Sequence, residues 1–317
     1  MKQTPMASGS STTTSHHNRD IAITDINQDI IRTHIFCVSS QFHNICADES
    51  LWKALCDSNW PSTKAETVQQ IISSFPSAHR SFFSDSYSTI KYHIDIPQNF
   101  SGIPAPLGPK LEPNERLIFA IDIHYGNEII YSKVVVRTPW SNWFMSSPLR
   151  LDLPNKNERV KTKIKFQVEE MRTYKARMEN NMRLSCILID PMKKRAVNLC
   201  SRRPVVVWQH PSAGEILVHY ATFMAAGVDN IGGFVKCGVD VICEGKNGWL
   251  HIKEICMQVE DLDGKILSWK DSMGILQEAM TKGDRVKDQI GKEKKMYQLF
   301  QSRKGYNILN PLDKNRT

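Results

Sequence analysis

His210 and His219, with Asp190 and Ser201 in the same region, supply the residue types of an acyl-transfer triad: a hydroxyl nucleophile, an imidazole base and a carboxylate to orient it. Such a triad works only when its members meet at hydrogen-bonding distance, and nothing in their spacing secures that. Polar residues at strand ends facing water are the preferred reading of the same four positions. The compact signatures of catalysis are missing from the chain: there is no G-x-S-x-G, no G-x-x-x-x-G-K-[ST], no H-E-x-x-H and no G-x-G-x-x-G. The eight cysteines are the next reactive set. Cys37, Cys46 and Cys56 stand nine and ten residues apart, and no C-x-x-C pair occurs anywhere, so zinc binding has no sequence support. Cys237, Val239, Val241 and Cys243 alternate as one face of a strand, which holds the two sulfurs roughly 20 Å apart at about 3.3 Å per residue. The expectation is buried thiols, no metal, no cofactor and no catalytic residue.

Tryptophans remain as candidates for recognition. Trp140, Trp143, Trp208 and Trp249 can serve either a core or a binding surface, because an indole buries a large apolar area and keeps one polar N–H. The elements that must position them read as strands. Leu117 to His124 and Ile129 to Val136 flank a Gly126-Asn127 turn and predict an antiparallel hairpin. Further strands are expected over Cys186–Asp190, Arg195–Leu199, Val205–His210, Glu215–Thr222, Val235–Cys243, Trp249–Glu260 and Lys265–Trp269. Helical spacing interrupts them at Gln167–Asn181 and Ser272–Thr281. Short strands with turn signals between them point to a mainly antiparallel β-sandwich with flanking helices.

The N-terminal part has a different period. From Phe36 to Pro61 the apolar residues recur at helical spacing, and Asp48 is placed to cap a helix that starts near Glu49. Pro61 ends it. Ile21 to Ile35 predicts an earlier helix, and Ser62 to His93 two later ones, capped by Thr63 and Ser77. Prolines and glycines between Ile96 and Pro113 break regular structure and mark a linker. The expected fold class is α+β. Its parts are a disordered polar arm at 1–20, a helical module at 21–93, a Pro-rich linker at 94–113, a β-rich domain at 114–282 and a basic tail at 283–317. The 317-residue chain carries a net charge of +8, most of it in that tail, which reads as a solvated helix end and a disordered extension rather than a nucleic-acid or membrane contact. No stretch has the roughly 18 apolar residues of a membrane span, and the N-terminus lacks the apolar core of a secretory signal. A nuclear or cytoplasmic location is expected.

The runs Cys37-Val38-Ser39-Ser40-Gln41-Phe42, Asp48-Glu49-Ser50-Leu51-Trp52, Leu55-Cys56 and Asn59-Trp60-Pro61 resemble the second half of an F-box, in particular that of plant F-box proteins with one N-terminal F-box and a plant-specific C-terminal region. Leu188-Ile189-Asp190-Pro191, Lys194 to Leu199, Ser201 to Val205 and Gln258 to Lys265 are similar to stretches of that C-terminal region. The F-box is shortened, lacking about three helical turns before Cys37. The resemblance implies a non-catalytic substrate receptor of an SCF-type E3 ubiquitin ligase. A Skp-type adaptor and its cullin complex would bind the helical module, and an unknown protein target the β domain. It implies adaptor anchors at Ile26, Ile30, Ile31, Ile35, Phe42, Leu51 and Trp52; for Trp52, packing within the hairpin is an equal alternative. A stand-alone or lectin-like binding protein that has lost its adaptor is the rival, and an enzyme with an unrecognised site the second.

Overall fold

The computed structural model describes residues 45–87, 89–90, 116–137, 149–152, 160–165, 171–200, 202–209, 215–225, 234–261, 264–282, 285–286 and 290–303. The expected N-terminal arm, first helix and Pro-rich linker lie outside them. The chain divides into two compact units, residues 1–51 and 52–317.

Helix α1 (Glu49–Asn59) begins where its sequence requires. Asp48 Oδ1 accepts the Ser50 N–H at 2.9 Å and the Ser50 hydroxyl at 2.7 Å, and these bonds hold its carboxyl below the usual range. The helix ends at Trp60-Pro61, where Asn59 Nδ2 turns back to donate to the Leu55 carbonyl at 2.8 Å. A 3-10 turn (Pro61–Lys64), α2 (Glu66–Ser73) and α3 (Ala78–Tyr87) follow. Thr63 does not cap α2 as expected. Its hydroxyl donates instead to the Trp60 carbonyl at 2.7 Å, which tightens the turn and leaves Ala65 at the N-cap. These elements close around Trp52, Trp60, Phe75, Phe82 and Phe83, all buried, with neighbouring ring centroids 5.4 to 5.9 Å apart.

The strands are β1 (Thr89–Ile90), β2 (Leu117–Tyr125), β3 (Glu128–Arg137), β4 (Leu149–Asp152) and β5 (Val160–Lys165). After α4 (Met171–Asn181) come β6 (Met182–Asp190), β7 (Arg195–Asn198), β8 (Val206–Gln209), β9 (Glu215–Ala225), β10 (Phe234–Lys246) and β11 (Trp249–Asp261). Then come α5 (Trp269–Lys282), β12 (Arg285–Val286) and α6 (Ile290–Arg303). One sheet has the order β3-β2-β6-β7; a second runs β4-β11-β10-β9-β8 with β5 also on β11; β1 pairs with β12. Every pairing is antiparallel among the described residues. The hairpin β2–β3 turns at Gly126-Asn127, and Gly126 takes φ 63°, which its lack of a side chain permits. Lys265–Trp269 is not a strand. Ile266 makes a single bridge to Glu260 and the chain enters α5 at Trp269.

The two large sheets share one core. Phe119, Ile121 and Ile123 of β2 and Leu184, Cys186 and Leu188 of β6 meet Val218 and Tyr220 of β9 and Val239 and Val241 of β10, with Met273 and Leu276 of α5 closing one margin. The fold is α+β, with its helices at 45–87 preceding the β-rich region. Burial on both faces explains why β2 reads as a continuous apolar run. Ile118, Ala120 and Asp122 point away from the shared core, yet none is more than 3 % exposed. Residues 52–87 cover that second face.

Candidate functional site

The adaptor-side candidates separate into two groups. Ile26, Ile30, Ile31, Ile35 and Phe42 lie outside the described residues. Leu51 is half-buried on α1. Trp52 is only 4 % exposed and packs its ring on Phe83 at 5.4 Å, so its area is already used inside the protein.

Beyond Trp52 the helices are joined to the first sheet by polar contacts that join residues distant in sequence. Asp122, fully buried on β2, accepts the Ser62 N–H at 2.9 Å, the Ser62 hydroxyl at 2.5 Å and the Ser132 hydroxyl at 2.7 Å. Burial nonetheless pushes its carboxyl above the usual range, the hydrogen bonds from Ser62 and Ser132 opposing that shift. Trp60 Nε1 donates to Ser185 Oγ on β6 at 3.2 Å. Asp85 of α3 takes a two-pronged contact from Arg195, at 2.8 and 3.2 Å, and the Ala196 N–H at 3.0 Å. Arg202 donates to the Tyr87 carbonyl at 2.9 Å and lies over the Tyr87 ring at 4.0 Å. No spacing rule reveals the pairs between helices and sheet, since their members are 60 to 125 residues apart.

Of the candidate tryptophans, the two described, Trp208 and Trp249, do not converge. Trp140 and Trp143 lie outside the described residues. Trp208 sits opposite Leu217, which pairs with Ile242, which pairs with Glu254; Trp249 is five residues further along β11 at the hairpin end. Three strand spacings and five residues put the two half-buried indoles on the order of 20 Å apart. They cannot form one cleft.

Of the triad candidates, Ser201 and His210 lie outside the described residues. Asp190 is consumed by the β6–β7 turn, accepting the Met192 and Lys193 N–H groups at 2.9 Å each, and it takes Gln277 Nε2 at 3.2 Å. His219 pairs with Asp240, Nδ1 to Oδ1 at 2.5 Å, while its Nε2 is buried with no hydrogen-bond partner. Around it lie Lys236, whose Nζ is 2.9 Å from Glu260 Oε1, and Tyr297 of α6, whose ring centroid is 5.0 Å from the imidazole. Burial, with the charges of Asp240 and Glu260, pushes the Tyr297 hydroxyl up to about 12. Sequence spacing missed this cluster, because its members come from β9, β10, β11 and α6. No cysteine, serine or threonine nucleophile completes it among the described contacts.

The described thiols match their expectation. Cys46, Cys56, Cys186, Cys200, Cys237, Cys243 and Cys256 are buried and form no disulfide, and burial raises Cys237 and Cys243 to about 12; Cys37 lies outside the described residues. No group of metal-ligating side chains is found among the described residues, and none of their helices is long and apolar enough to cross a membrane.

The expected basic tail is in part a helix. Met296 and Phe300 of α6 are buried against Val205, Ala221 and Phe223 on the outer face of the second sheet.

No family model matches the chain, and no solved structure matches it. Among curated proteins, it is 34 % identical to F-box protein At3g44326 of Arabidopsis thaliana, over 91 % of this chain and 84 % of that one. It is 34 % identical to F-box protein At2g27310, over 81 % of this chain and 78 % of the relative, and 33 % identical to the probable F-box protein At2g36090, over 89 % and 81 %, both from the same plant. With helices before a β-rich region, and with this likeness spanning most of its length, the chain belongs to the plant F-box protein family.

Proposed function

We propose that the protein is the substrate receptor of an SCF-type ubiquitin ligase, docking on a Skp-type adaptor through its N-terminal helices and presenting a target protein on its β-rich part. The observation that carries this reading is the likeness to F-box proteins across most of the chain, strands included. The seam between α1–α3 and the first sheet supports it physically. A receptor catalyses nothing itself. It raises the effective concentration of target lysines near a ubiquitin-loaded enzyme, and that gain falls when the holder swings freely. Asp122, Trp60 and Asp85 tie the helices from Trp52 onward to the sheet, so a target held on the strands keeps a set distance from those helices.

In this reading Ile26, Ile30, Ile31, Ile35, Phe42 and Leu51 are the adaptor anchors, whereas Trp52 serves the fold. The test is capture of a plant Skp-type adaptor and cullin by the purified full chain. Ile30→Ala with Ile31→Ala is expected to weaken capture about thirtyfold or more, since buried interface anchors commonly cost about 2 kcal/mol or more. Absence of capture by folded wild-type protein would reject the receptor reading in favour of a stand-alone binding protein. A nuclear or cytoplasmic site of action belongs to the same proposal.

A further inference from the structure

The outer face of the second sheet carries polar and charged residues beside an apolar patch, and Lys236 and His219 among them are buried. Register places Lys236 opposite Phe223 and Glu260, Gly238 opposite Ala221 and Gln258, and Asp240 opposite His219. An antiparallel sheet with one face in the core turns such residues toward water. Here α6 lies on them. Lys236 is 3 % exposed and His219 6 %, and the Lys236 ammonium sits 5.0 Å from the Phe300 ring and 5.5 Å from that of Tyr297. His219 Nε2 is left without a partner under this cover. A face evolved only to be sealed by a helix gains nothing from a buried lysine ammonium held by a partly exposed carboxylate and a buried imidazole with one orphaned ring nitrogen.

The cover itself is narrow. Met296, Tyr297 and Phe300 make the described apolar contact, while Leu299 is 52 % exposed. The helix is also basic in sequence, with Lys292, Lys294, Lys295 and Arg303 against Glu293; its Lys294 pairs with Glu179 of α4 at 3.8 Å, while the seat's carboxylates, Asp240 and Glu260, pair with His219 and Lys236. The same face continues past the helix to Trp208 and Ile242, both half-buried.

We propose that the outer face of β9–β11 is the docking surface for the target and that α6 occupies it in cis as a displaceable cover. The partner it fits is a basic amphipathic helix presenting a methionine and two aromatic side chains at i, i+1 and i+4, as Met296, Tyr297 and Phe300 do. Assigning this partner as the target rests on the receptor reading above; the occupancy of the face does not. Binding then requires α6 to leave, so the cover sets a threshold that only a better-fitting helix passes.

The test uses the full chain and a fluorescent peptide with the sequence of residues 288–304. Tyr297→Ala with Phe300→Ala should open the face, and the peptide should bind this variant about tenfold or more tighter than wild type. Adding Phe223→Ala to the open variant should weaken peptide binding about tenfold. Equal binding to wild type and open variant would overturn the cover, and no binding to an open variant that still melts cooperatively would overturn the surface. Hydrogen exchange on the wild type decides the matter if the open variant fails to fold. Amides of 294–303 should exchange well ahead of those in β9 and β10, and release together with those strands would refute a displaceable helix. Peptide binding without adaptor capture would reject the receptor reading and leave the docking surface standing.

Discussion

Asp122 offers the sharpest test of how the helices and strands are joined. Its carboxylate is fully buried and accepts from the Ser62 N–H, the Ser62 hydroxyl and the Ser132 hydroxyl. Asp122→Ala removes all three acceptors at once. Ser132 is exposed and turns to water, but Ser62 is 4 % exposed and its two donors are stranded. At about 1–3 kcal/mol for each of the two buried unsatisfied groups, the loss is about 2–6 kcal/mol, a large part of a typical total of about 5–15 kcal/mol. Asp122→Asn behaves differently. Its carbonyl oxygen still accepts from Ser62 or Ser132, its amide can donate to the Ser62 hydroxyl, and no charge is buried, so the cost should be about 1 kcal/mol or less. The pH dependence has a fixed sign. Burial raises the folded-state pKa of Asp122 above its unfolded value, so its contribution is fully present below the unfolded pKa and is lost as pH rises through the folded one. Urea unfolding followed by circular dichroism, from pH 4 to pH 7, should therefore show wild type losing ground to Asp122→Asn as pH rises. An Asp122→Ala protein with an unchanged midpoint, or an Asn variant as damaged as the Ala one, would refute the account of this seam.

Asp85→Ala should destabilise by about 1–3 kcal/mol in the same assay, and more than Arg195→Ala, because loss of the carboxylate also strands the buried Ala196 N–H while the Arg195 side chain is 38 % exposed and screened. Trp60→Phe should cost about 0.5–1.5 kcal/mol beyond the lost packing area through its bond to Ser185, and pairing it with Ser185→Ala should show non-additivity in a double-mutant cycle. Gly238→Ala sets a Cβ 2.8 Å from His219 Cε1, so it should lower stability by about 1–3 kcal/mol, and His219→Ala in the same chain should recover part of that loss on thermal melting. The buried thiols should resist Ellman's reagent at pH 8 until the protein unfolds, since burial holds Cys237 and Cys243 near 12; rapid labelling of either in native protein would contradict their placement.

Much of this protein is legible in one dimension. The apolar runs of residues 117–123 and 129–136, on either side of the turn at Gly126-Asn127, are local patterns that set strand identity and place the hairpin. Asp48 ahead of Glu49 and Pro61 after Trp60 bound α1 by chemistry that acts within a few residues. The succession of helices and strands, the buried state of the cysteines and the likeness to F-box proteins follow from such local patterns. Partnership between elements does not. Trp60 with Ser185, Asp122 with Ser62 and Asp85 with Arg195 meet only because residues 52–87 cover the second face of β2 and β6, and a strand's period reports that a face is buried, never what buries it. The same holds at the other side of the molecule. The charge of residues 290–303 reads as a solvated tail, yet the spacing of Met296 and Phe300 finds an apolar patch made by Val205, Ala221 and Phe223, residues brought together by the pairing and exit of β8 and β9. The pairing of His219 with Asp240 exists because antiparallel register sets those two residues side by side. Local chemistry decides elements because its interactions span a few residues; tertiary structure alone decides neighbours, because contact between elements depends on which buried faces fit one another.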